Sequence, residues 1–152
     1  MSHWLITFLA SFLVWFMIAS LFFLGYRDGK LKRELALHAL LAGFIAWSTA
    51  QLIKRFYHTP RPFEINGHTP LTLFANPDGS FPSGHTALAF ALATSVLLHH
   101  RHLGLIFITA ALLVGTGRVL SNVHYPIDIL AGAAIGTTTA LLLHQFHRFY
   151  PK

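Results

Sequence analysis

The chain has 152 residues, of which 54% are hydrophobic and 11% are charged, and its formal net charge is +6. This composition excludes an ordinary soluble domain and is typical of a membrane protein. The length predicts one domain over residues 1–152, and the lack of cysteine excludes disulfide and thiolate chemistry. The basic residues are dispersed among apolar segments, which argues against nucleic acid and favours the bilayer and an anionic lipid as partners.

The first predicted membrane span runs from Trp4 to Leu24 without a charged residue. About 20 apolar residues are enough to cross the hydrocarbon core as a helix. A cleavable signal peptide is the alternative, but Met1–His3 contains no Lys or Arg and no clear small-x-small cleavage site follows. A short polar, basic loop is predicted next, over Tyr26–Glu34.

Four more spans are predicted, so that the chain forms an all-α polytopic bundle of about five transmembrane helices. A long loop rich in proline and glycine precedes the third span, and such loops are usually functional. The third and fifth spans look short, which requires their ends to border a cavity lined by protein. The remaining segments are the span Leu35–Ile53, the loop Lys54–Pro82, a span from Pro82 to about His100, one from Leu103 to about Ser121, and Ile127–Leu143.

The distribution of Lys and Arg predicts the orientation of the bundle. With the N-terminus outside, more basic residues lie on the inner side than on the outer side, as the positive-inside rule favours. The inner residues are Arg27, Lys30, Lys32, Arg33, Arg101, Arg148 and Lys152, and the outer ones are Lys54, Arg55, Arg61 and Arg118.

Three polar motifs interrupt the apolar sequence: K-x6-R-P at residues 54–62, P-S-G-H at 82–85 and G-R-x5-H-x3-D at 117–128. An up-and-down path through the membrane brings all three to the same, extracytoplasmic face. Together they supply cations and backbone donors that hold an anion, one imidazole that attacks and one that protonates a leaving group. These are the requirements of phosphoryl transfer without a metal.

In the third motif, Asp128 is predicted to lie in the first turn of the fifth span and to reach back to His124. Asp128 would then hold the Nδ1 proton of His124 and leave Nε2 as the nucleophile. The alternative is that Asp128 only caps the helix. Arg118 lies in an apolar run, where it requires an anion such as substrate phosphate or Asp128.

The first two motifs carry the other candidate residues. Ser83 is a natural helix N-cap, Gly84 allows an anion to approach the backbone, and His85 is the candidate general acid. Arg61 offers a planar fork to two phosphate oxygens and Lys54 offers a point charge. Snorkelling at the end of a span is the alternative for Lys54.

At these residues the chain resembles the type 2 phosphatidic acid phosphatase superfamily, whose pattern is K-x6-R-P, P-S-G-H and S-R-x5-H-x3-D. Gly117 stands where the family usually has Ser, which removes one possible hydrogen bond. The resemblance implies a haloperoxidase-like helical core without cofactor or metal, a phosphohistidine on His124 assisted by Asp128, and His85 as the acid. It assigns the phosphate cradle to Lys54, Arg61, Ser83, Gly84 and Arg118.

The resemblance also implies a lipid phosphatase of the bacterial cytoplasmic membrane, and the distribution of Lys and Arg places its active site on the extracytoplasmic side. Undecaprenyl diphosphate is the favoured substrate, because H-Y-P-x-D-x-x-x-G from His124 is similar to small bacterial members that recycle this carrier. Gly84 weighs against it, since those members often carry Asp there. Phosphatidic acid, phosphatidylglycerophosphate and lipid A phosphates are the alternatives.

Two other classes use a similar pocket. Vanadate-dependent haloperoxidases are soluble, so the apolar spans argue against them, and a non-catalytic lipid-phosphate binding or transport protein has no need of an oriented nucleophile. No metal site is predicted, because the remaining clustered histidines lack Cys or carboxylate partners at metal-ligand spacing. Those histidines are His99, His100, His102, His144 and His147.

Overall fold

The computed structural model describes residues 2–27, 30–73 and 78–149, and these residues form helices and no strand. The predicted all-α transmembrane bundle is confirmed. In chain order the helices are α1 (His3–Ser11), α2 (Leu13–Arg27), α3 (Lys30–Phe56), α4 (Pro62–Asn66), α5 (Gly84–His99), α6 (Arg101–Leu120) and α7 (Pro126–Phe149).

Among the described residues, three helices are long and apolar enough to cross a membrane singly. They are the segments Arg33–Phe56, Arg101–Leu120 and Pro126–Phe146 of α3, α6 and α7. α1 and α2 are apolar and long enough for a crossing only when taken together, and they are bent by 51° near Phe12, so the helix of the first predicted span is broken rather than continuous. α5 has 16 residues and is short, as predicted. The predicted number of about five spans is therefore approximate.

α5 lies at the centre of the bundle and packs against α3, α6 and α7. Its alanines Ala87, Ala89, Ala91 and Ala93 are fully buried, and a helix that is apolar all round is typical of such a position. Because protein encloses α5, its ends need not reach the two membrane surfaces. Its N-terminus, which the P-S-G-H motif opens, therefore lies inside the protein.

Two glycines of α7 allow α5 to approach closely. A Cβ on Gly132 would lie 2.6 Å from the carbonyl oxygen of Ser83, and one on Gly136 would collide with the carbonyl of Ala87. Small residues four apart commonly let two membrane helices pack backbone to backbone. The contact holds the two helix N-termini together, and the Ser83 N–H donates a 3.0 Å hydrogen bond to the Asp128 carbonyl.

The connections differ from the predictions in three places. The predicted loop Tyr26–Glu34 is largely helical, because α2 runs to Arg27 and α3 begins at Lys30. The predicted loop after α3 contains the short helix α4, where the Arg61 N–H donates to the Glu64 carboxylate. α7 is longer than the predicted fifth span, because the helix continues through polar residues that an apolar window leaves out.

Candidate active site

The three motifs meet at one end of the bundle, around a cavity of about 80 Å³. The predicted residues that line it are Lys54, Arg61, Gly84, His85, Arg118 and His124, and the others are Trp47, Gln51 and Asp78. A wider cavity of about 490 Å³ adjoins it and shares the lining residues Trp47, Gln51, Lys54 and Asp78. The small cavity is therefore the convergence point that the topology predicted.

His124 is oriented in this cavity by Asp128. Its Nδ1 lies 3.2 Å from Oδ2 of Asp128, and both side chains are buried. The same carboxylate oxygen accepts hydrogen bonds from Ser80 Oγ at 2.8 Å and from the Tyr125 N–H at 2.9 Å. A carboxylate that faces Nδ1 selects the tautomer with the proton on Nδ1 and leaves a lone pair on Nε2.

Two guanidinium groups face the Nε2 atom of His124. Nη1 of Arg61 and Nη2 of Arg118 each lie 3.5 Å from it. Two backbone carbonyls also hold Arg61: its Nε donates to the Asp78 carbonyl at 2.9 Å, and the same Nη1 donates to the Val123 carbonyl at 3.0 Å. Nε of the buried Arg118 has no hydrogen-bond partner within the part of the chain that the structure describes. Two buried guanidinium groups beside the Nε2 lone pair of His124 suit a tetrahedral oxyanion such as phosphate.

Lys54 and His85 complete the polar wall of the cavity. The Lys54 ammonium donates to the Gly79 carbonyl at 2.9 Å and lines the cavity, and both contacts favour its predicted role at the anion site. His85 lines the same cavity from the first turn of α5. A positive charge and a second imidazole therefore border the space in front of His124.

Ser83 does not line the cavity. Its buried hydroxyl caps α5 and accepts hydrogen bonds from the Thr86 N–H at 3.4 Å and the Thr86 hydroxyl at 2.9 Å. The N-cap role is thus present, and a direct contact between Ser83 and phosphate stays a prediction. In this geometry Ser83 caps the N-terminus of the helix that carries His85.

Burial lowers the pKa of the His124 imidazole, and the charges of Arg118, Lys54 and Arg61 lower it further against the opposing hydrogen bond to Asp128. The neutral imidazole, which is the nucleophilic form, is thereby favoured. Burial also lowers the pKa of the Arg61 guanidinium, but the ordinary value for arginine is high enough to keep it charged.

Several residues of the site were missed in the sequence: Trp47, Gln51, Asp78 and Ser80. The spacing of Trp47 and Gln51 from Lys54 places all three on one face of α3, which is a signal that the sequence does contain. A Cβ on Gly84 would lie 3.3 Å from Cδ1 of Trp47 and 3.6 Å from Oε1 of Gln51. Trp47 therefore borders the space into which a larger residue at position 84 would project.

Gly117 lies against α1. The Ala10 carbonyl of α1 accepts a 3.1 Å hydrogen bond from Nη1 of Arg118. A Cβ at Gly117 would lie 2.7 Å from the Cβ of Leu9 in the same helix. Arg118 is thus held by a backbone carbonyl and faces His124. Of the two anionic partners predicted for it, substrate phosphate and Asp128, it does not contact Asp128.

A second group of histidines lies far from Lys54 along α3. The ring centroids of His38 and His99 are 5.5 Å apart, and His144 lies 6.4 Å from the first and 5.2 Å from the second. The sequence pattern groups His99 with His100 and His102, whereas the fold places it beside His38 of α3 and His144 of α7. Across the three described segments, no group of three or more His, Cys, Asp or Glu is arranged to hold a metal ion.

A buried, oriented histidine in a cation-lined cavity at one end of a helical membrane bundle defines a membrane protein suited to phosphate chemistry. The chain belongs to the PAP2 superfamily, whose family model matches residues 31–151. The family recognised from the three motifs is confirmed.

Two relatives from Bacillus share much of the sequence. The chain is 28% identical over 155 residues to the bacitracin transport permease protein BcrC of Bacillus licheniformis, in an alignment that covers 95% of this chain and 76% of that protein. It is 33% identical over 116 residues to the undecaprenyl-diphosphatase BcrC of Bacillus subtilis, covering 76% of this chain and 59% of that protein. The chain therefore spans about three fifths of the second relative.

Two solved structures share the fold. The crystal structure of Aquifex aeolicus LpxE superposes with a TM-score of 0.72 at 30% identity and covers 92% of this chain and 81% of that one. A transmembrane PAP2 type phosphatidylglycerolphosphate phosphatase from Bacillus subtilis has a TM-score of 0.64 at 26% identity, covering 92% and 69%. Both agree with a membrane-spanning helical bundle.

Proposed function

We propose that the protein is an integral membrane lipid phosphatase that removes the terminal phosphate of a lipid phosphate or diphosphate through a phosphohistidine. The observation that carries this proposal is the position of Arg61 and Arg118, each 3.5 Å from Nε2 of His124. A phosphoryl group in front of Nε2 meets both guanidinium forks, while Asp128 holds the opposite side of the imidazole.

In the first step, the Nε2 lone pair of His124 attacks phosphorus and the bond from phosphorus to the leaving-group oxygen breaks. His85 donates its proton to that oxygen as the lipid leaves. Asp128 stabilises the positive charge that develops on the imidazole. The positive charges of Lys54, Arg61 and Arg118 offset the negative charge of the phosphoryl oxygens.

In the second step, His85 takes a proton from a water molecule whose oxygen attacks phosphorus. The bond between phosphorus and Nε2 of His124 breaks, its electron pair returns to the ring, and inorganic phosphate leaves. His85 thereby regains the proton that it gave to the leaving group. The cycle consumes one water molecule, and every proton transfer is assigned to His85.

We infer that the substrate is undecaprenyl diphosphate, which is cleaved to undecaprenyl phosphate at the extracytoplasmic face of the bacterial cytoplasmic membrane. Lys54, Arg61 and Arg118 supply three positive charges, and a diphosphate matches them with more negative charge than a monoester. The similarity to an undecaprenyl-diphosphatase supports this choice. Phosphatidic acid, phosphatidylglycerophosphate and lipid A phosphates are the alternative substrates.

A non-catalytic lipid-phosphate binding or transport protein is the second candidate, because one relative is named a transport permease. Such a protein would bind the lipid without releasing phosphate. The hydrogen bond between His124 and Asp128 favours catalysis, since anion binding alone needs no oriented imidazole.

The test is phosphate release by the purified protein from a panel of prenyl diphosphates and the alternative lipid phosphates. His124→Ala should abolish both phosphate release and the acid-labile phosphoenzyme, while the exposed control His68→Ala should keep both. A chelator should leave the wild-type rate unchanged. Full activity in His124→Ala, or activity lost to chelator and restored by a divalent ion, would contradict the mechanism. A higher kcat/KM for phosphatidic acid or phosphatidylglycerophosphate than for a prenyl diphosphate would change the substrate alone.

A further inference from the structure

The wider cavity beside the catalytic one contains a basic residue that the mechanism does not use. Its volume is about 490 Å³, against about 80 Å³ for the catalytic cavity. Four residues line both cavities, and the wider one adds Arg55, His58 and Gly79. The two spaces therefore share a wall, and the wider one has polar groups of its own.

The C-terminal part of α3 forms one wall of the wider cavity. Trp47, Gln51 and Arg55 are four residues apart and line this space, so their side chains lie along one face of the helix. α3 ends at Phe56, and His58 follows directly after it. Polar side chains therefore continue along α3 beyond the catalytic cavity, as far as the end of the helix.

The connection over residues 78–80 forms another wall, and hydrogen bonds hold it in place. The Asp78 carbonyl accepts from Nε of Arg61 at 2.9 Å, and the Gly79 carbonyl accepts from the Lys54 ammonium at 2.9 Å. Lys54 and Arg61 also line the catalytic cavity. The two cations that border the catalytic cavity therefore also fix the position of a wall of the wider one.

Arg55 determines the charge of the wider cavity. Among the residues that line it, Lys54 contributes one positive charge and Asp78 one negative charge, so these two balance. Arg55 leaves the lining with a net positive charge, and the His58 ring has an N–H that can donate a hydrogen bond in either tautomer. Arg55, His58 and Asp78 are all exposed. Such a lining suits an anionic group rather than a hydrocarbon chain, because an apolar occupant would leave the polar side chains unpaired.

The position of His124 determines where a leaving group must point. His124 lines the catalytic cavity and not the wider one, whereas Arg55 and His58 line the wider one and not the catalytic one. In an in-line displacement the leaving oxygen lies opposite the attacking atom, which here is Nε2 of His124. A group attached to that oxygen extends away from His124 and out of the small catalytic cavity. The wider cavity offers it polar partners there.

We propose that Arg55 and His58 bind the second phosphate of a lipid diphosphate, the one that stays on the lipid. This inference rests on the proposed phosphatase function. When the terminal phosphorus bonds to Nε2 of His124, its bond to the bridging oxygen breaks, and that oxygen leaves with the lipid phosphate and takes the proton of His85. Arg55 offers a planar fork to two oxygens of this second phosphate. A phosphate monoester has no such group, so the contact selects diphosphates.

The kinetic test compares farnesyl diphosphate with farnesyl monophosphate, which share a chain and differ by one phosphate. Arg55→Gln should lower the ratio of kcat/KM for the diphosphate over the monophosphate about fivefold, as expected for a charge pair exposed to solvent. His58→Ala should lower the ratio in the same direction, and Arg55→Lys, which retains the charge, should keep most of it. The matched control Arg101→Gln, at the exposed start of α6, should keep the wild-type ratio. An unchanged ratio in both Arg55→Gln and His58→Ala, or an equal loss for the two substrates, would overturn the inference.

A salt series distinguishes a charge contact from a structural effect. Salt screens the interaction between exposed charges, so added sodium chloride should lower the diphosphate-to-monophosphate ratio of the wild type. The ratio of Arg55→Gln should respond less, because the screened charge is already absent. The same salt dependence in both proteins would contradict a contact between Arg55 and the second phosphate.

A binding test separates this inference from the proposed function. The inactive His124→Ala protein is titrated in detergent with farnesyl diphosphate and farnesyl monophosphate, with and without Arg55→Gln. A loss of affinity for the diphosphate alone supports the second phosphate site whether or not the wild type releases phosphate. Equal effects on the two ligands, or no effect on either, would overturn the inference. No phosphate release by the wild type from any lipid of the panel would instead overturn the proposed function.

Discussion

Gly117 of α6 lies in backbone contact with Ala10 of α1: a Cβ built on Gly117 would lie 2.8 Å from the Ala10 nitrogen. The Ala10 carbonyl in turn accepts a 3.1 Å hydrogen bond from Arg118. The first helix therefore holds Arg118, a residue of the proposed phosphate site, although no described side chain of α1 lines the cavity. In this chain the glycine that replaces the usual Ser is what allows α1 to approach so closely.

Gly117→Ser should therefore impair the enzyme although it restores the family residue. The new Cβ meets backbone atoms of α1, which cannot rotate away, and overpacking of this kind costs about 1–3 kcal/mol. We expect a lower Tm and a kcat/KM reduced about tenfold as Arg118 loses its carbonyl partner. Thr116→Ser, one residue earlier on an exposed face, is the control. Wild-type activity in Gly117→Ser would show that α1 does not support Arg118.

Ser80→Ala tests whether Ser80 positions the Asp128 carboxylate. The variant removes the 2.8 Å hydrogen bond to Oδ2 of Asp128 and leaves the cavity wall intact. One hydrogen bond to a buried charge is worth about 1.5–3 kcal/mol, so kcat should fall by roughly tenfold or more while KM stays similar. Asp128→Asn should cost about a hundredfold or more, since it also disturbs the tautomer of His124.

Steady-state kinetics on the same lipid substrate measure both losses. Ser20→Ala, whose hydroxyl donates to the Met17 carbonyl of its own helix, provides the control for loss of a serine hydroxyl. If Ser80→Ala kept the wild-type kcat, Ser80 would have no positioning role.

The convergence of the three motifs could be predicted from the sequence, because an alternating path through the membrane leaves few places for them to meet. The pairing of His124 with Asp128 followed from their spacing and from Pro126 at the start of α7. The role of Ser83 was only half predictable. A serine before a helix indicates a cap, but whether its hydroxyl also reaches an anion depends on how α5 is buried.

Other features depend on contacts between distant parts of the chain. The break near Phe12 has no proline or glycine to mark it, so nothing local predicts it. α1 on the far side of that break packs against α6, where Gly117 leaves room. Ser80 likewise gave no signal, because its partner Asp128 lies far away in the sequence.

The protonation state of His124 gives a prediction in solution. Its pKa is lowered by burial and by neighbouring cations, so the imidazole should stay neutral as the pH falls through the ordinary histidine value of about 6.5. At about pH 5.5, nitrogen NMR of labelled protein should show neutral His124 with its proton on Nδ1. Assignment uses the signal lost in His124→Ala. A protonated His124 at that pH would contradict the environment described for it.

The final prediction concerns the side of the membrane on which the site lies. The excess of basic residues on the other side favours an extracytoplasmic cavity, and the exposed His68 lies on the connection that carries Arg61. Because the chain has no cysteine, His68→Cys introduces a single thiol, which an impermeant maleimide should label in intact cells. The exposed His102, at the start of α6, gives the matched variant His102→Cys, which should react only after the inner membrane is broken. The reverse pattern would place the catalytic cavity in the cytoplasm, where a lipid diphosphate of the outer leaflet could not reach it.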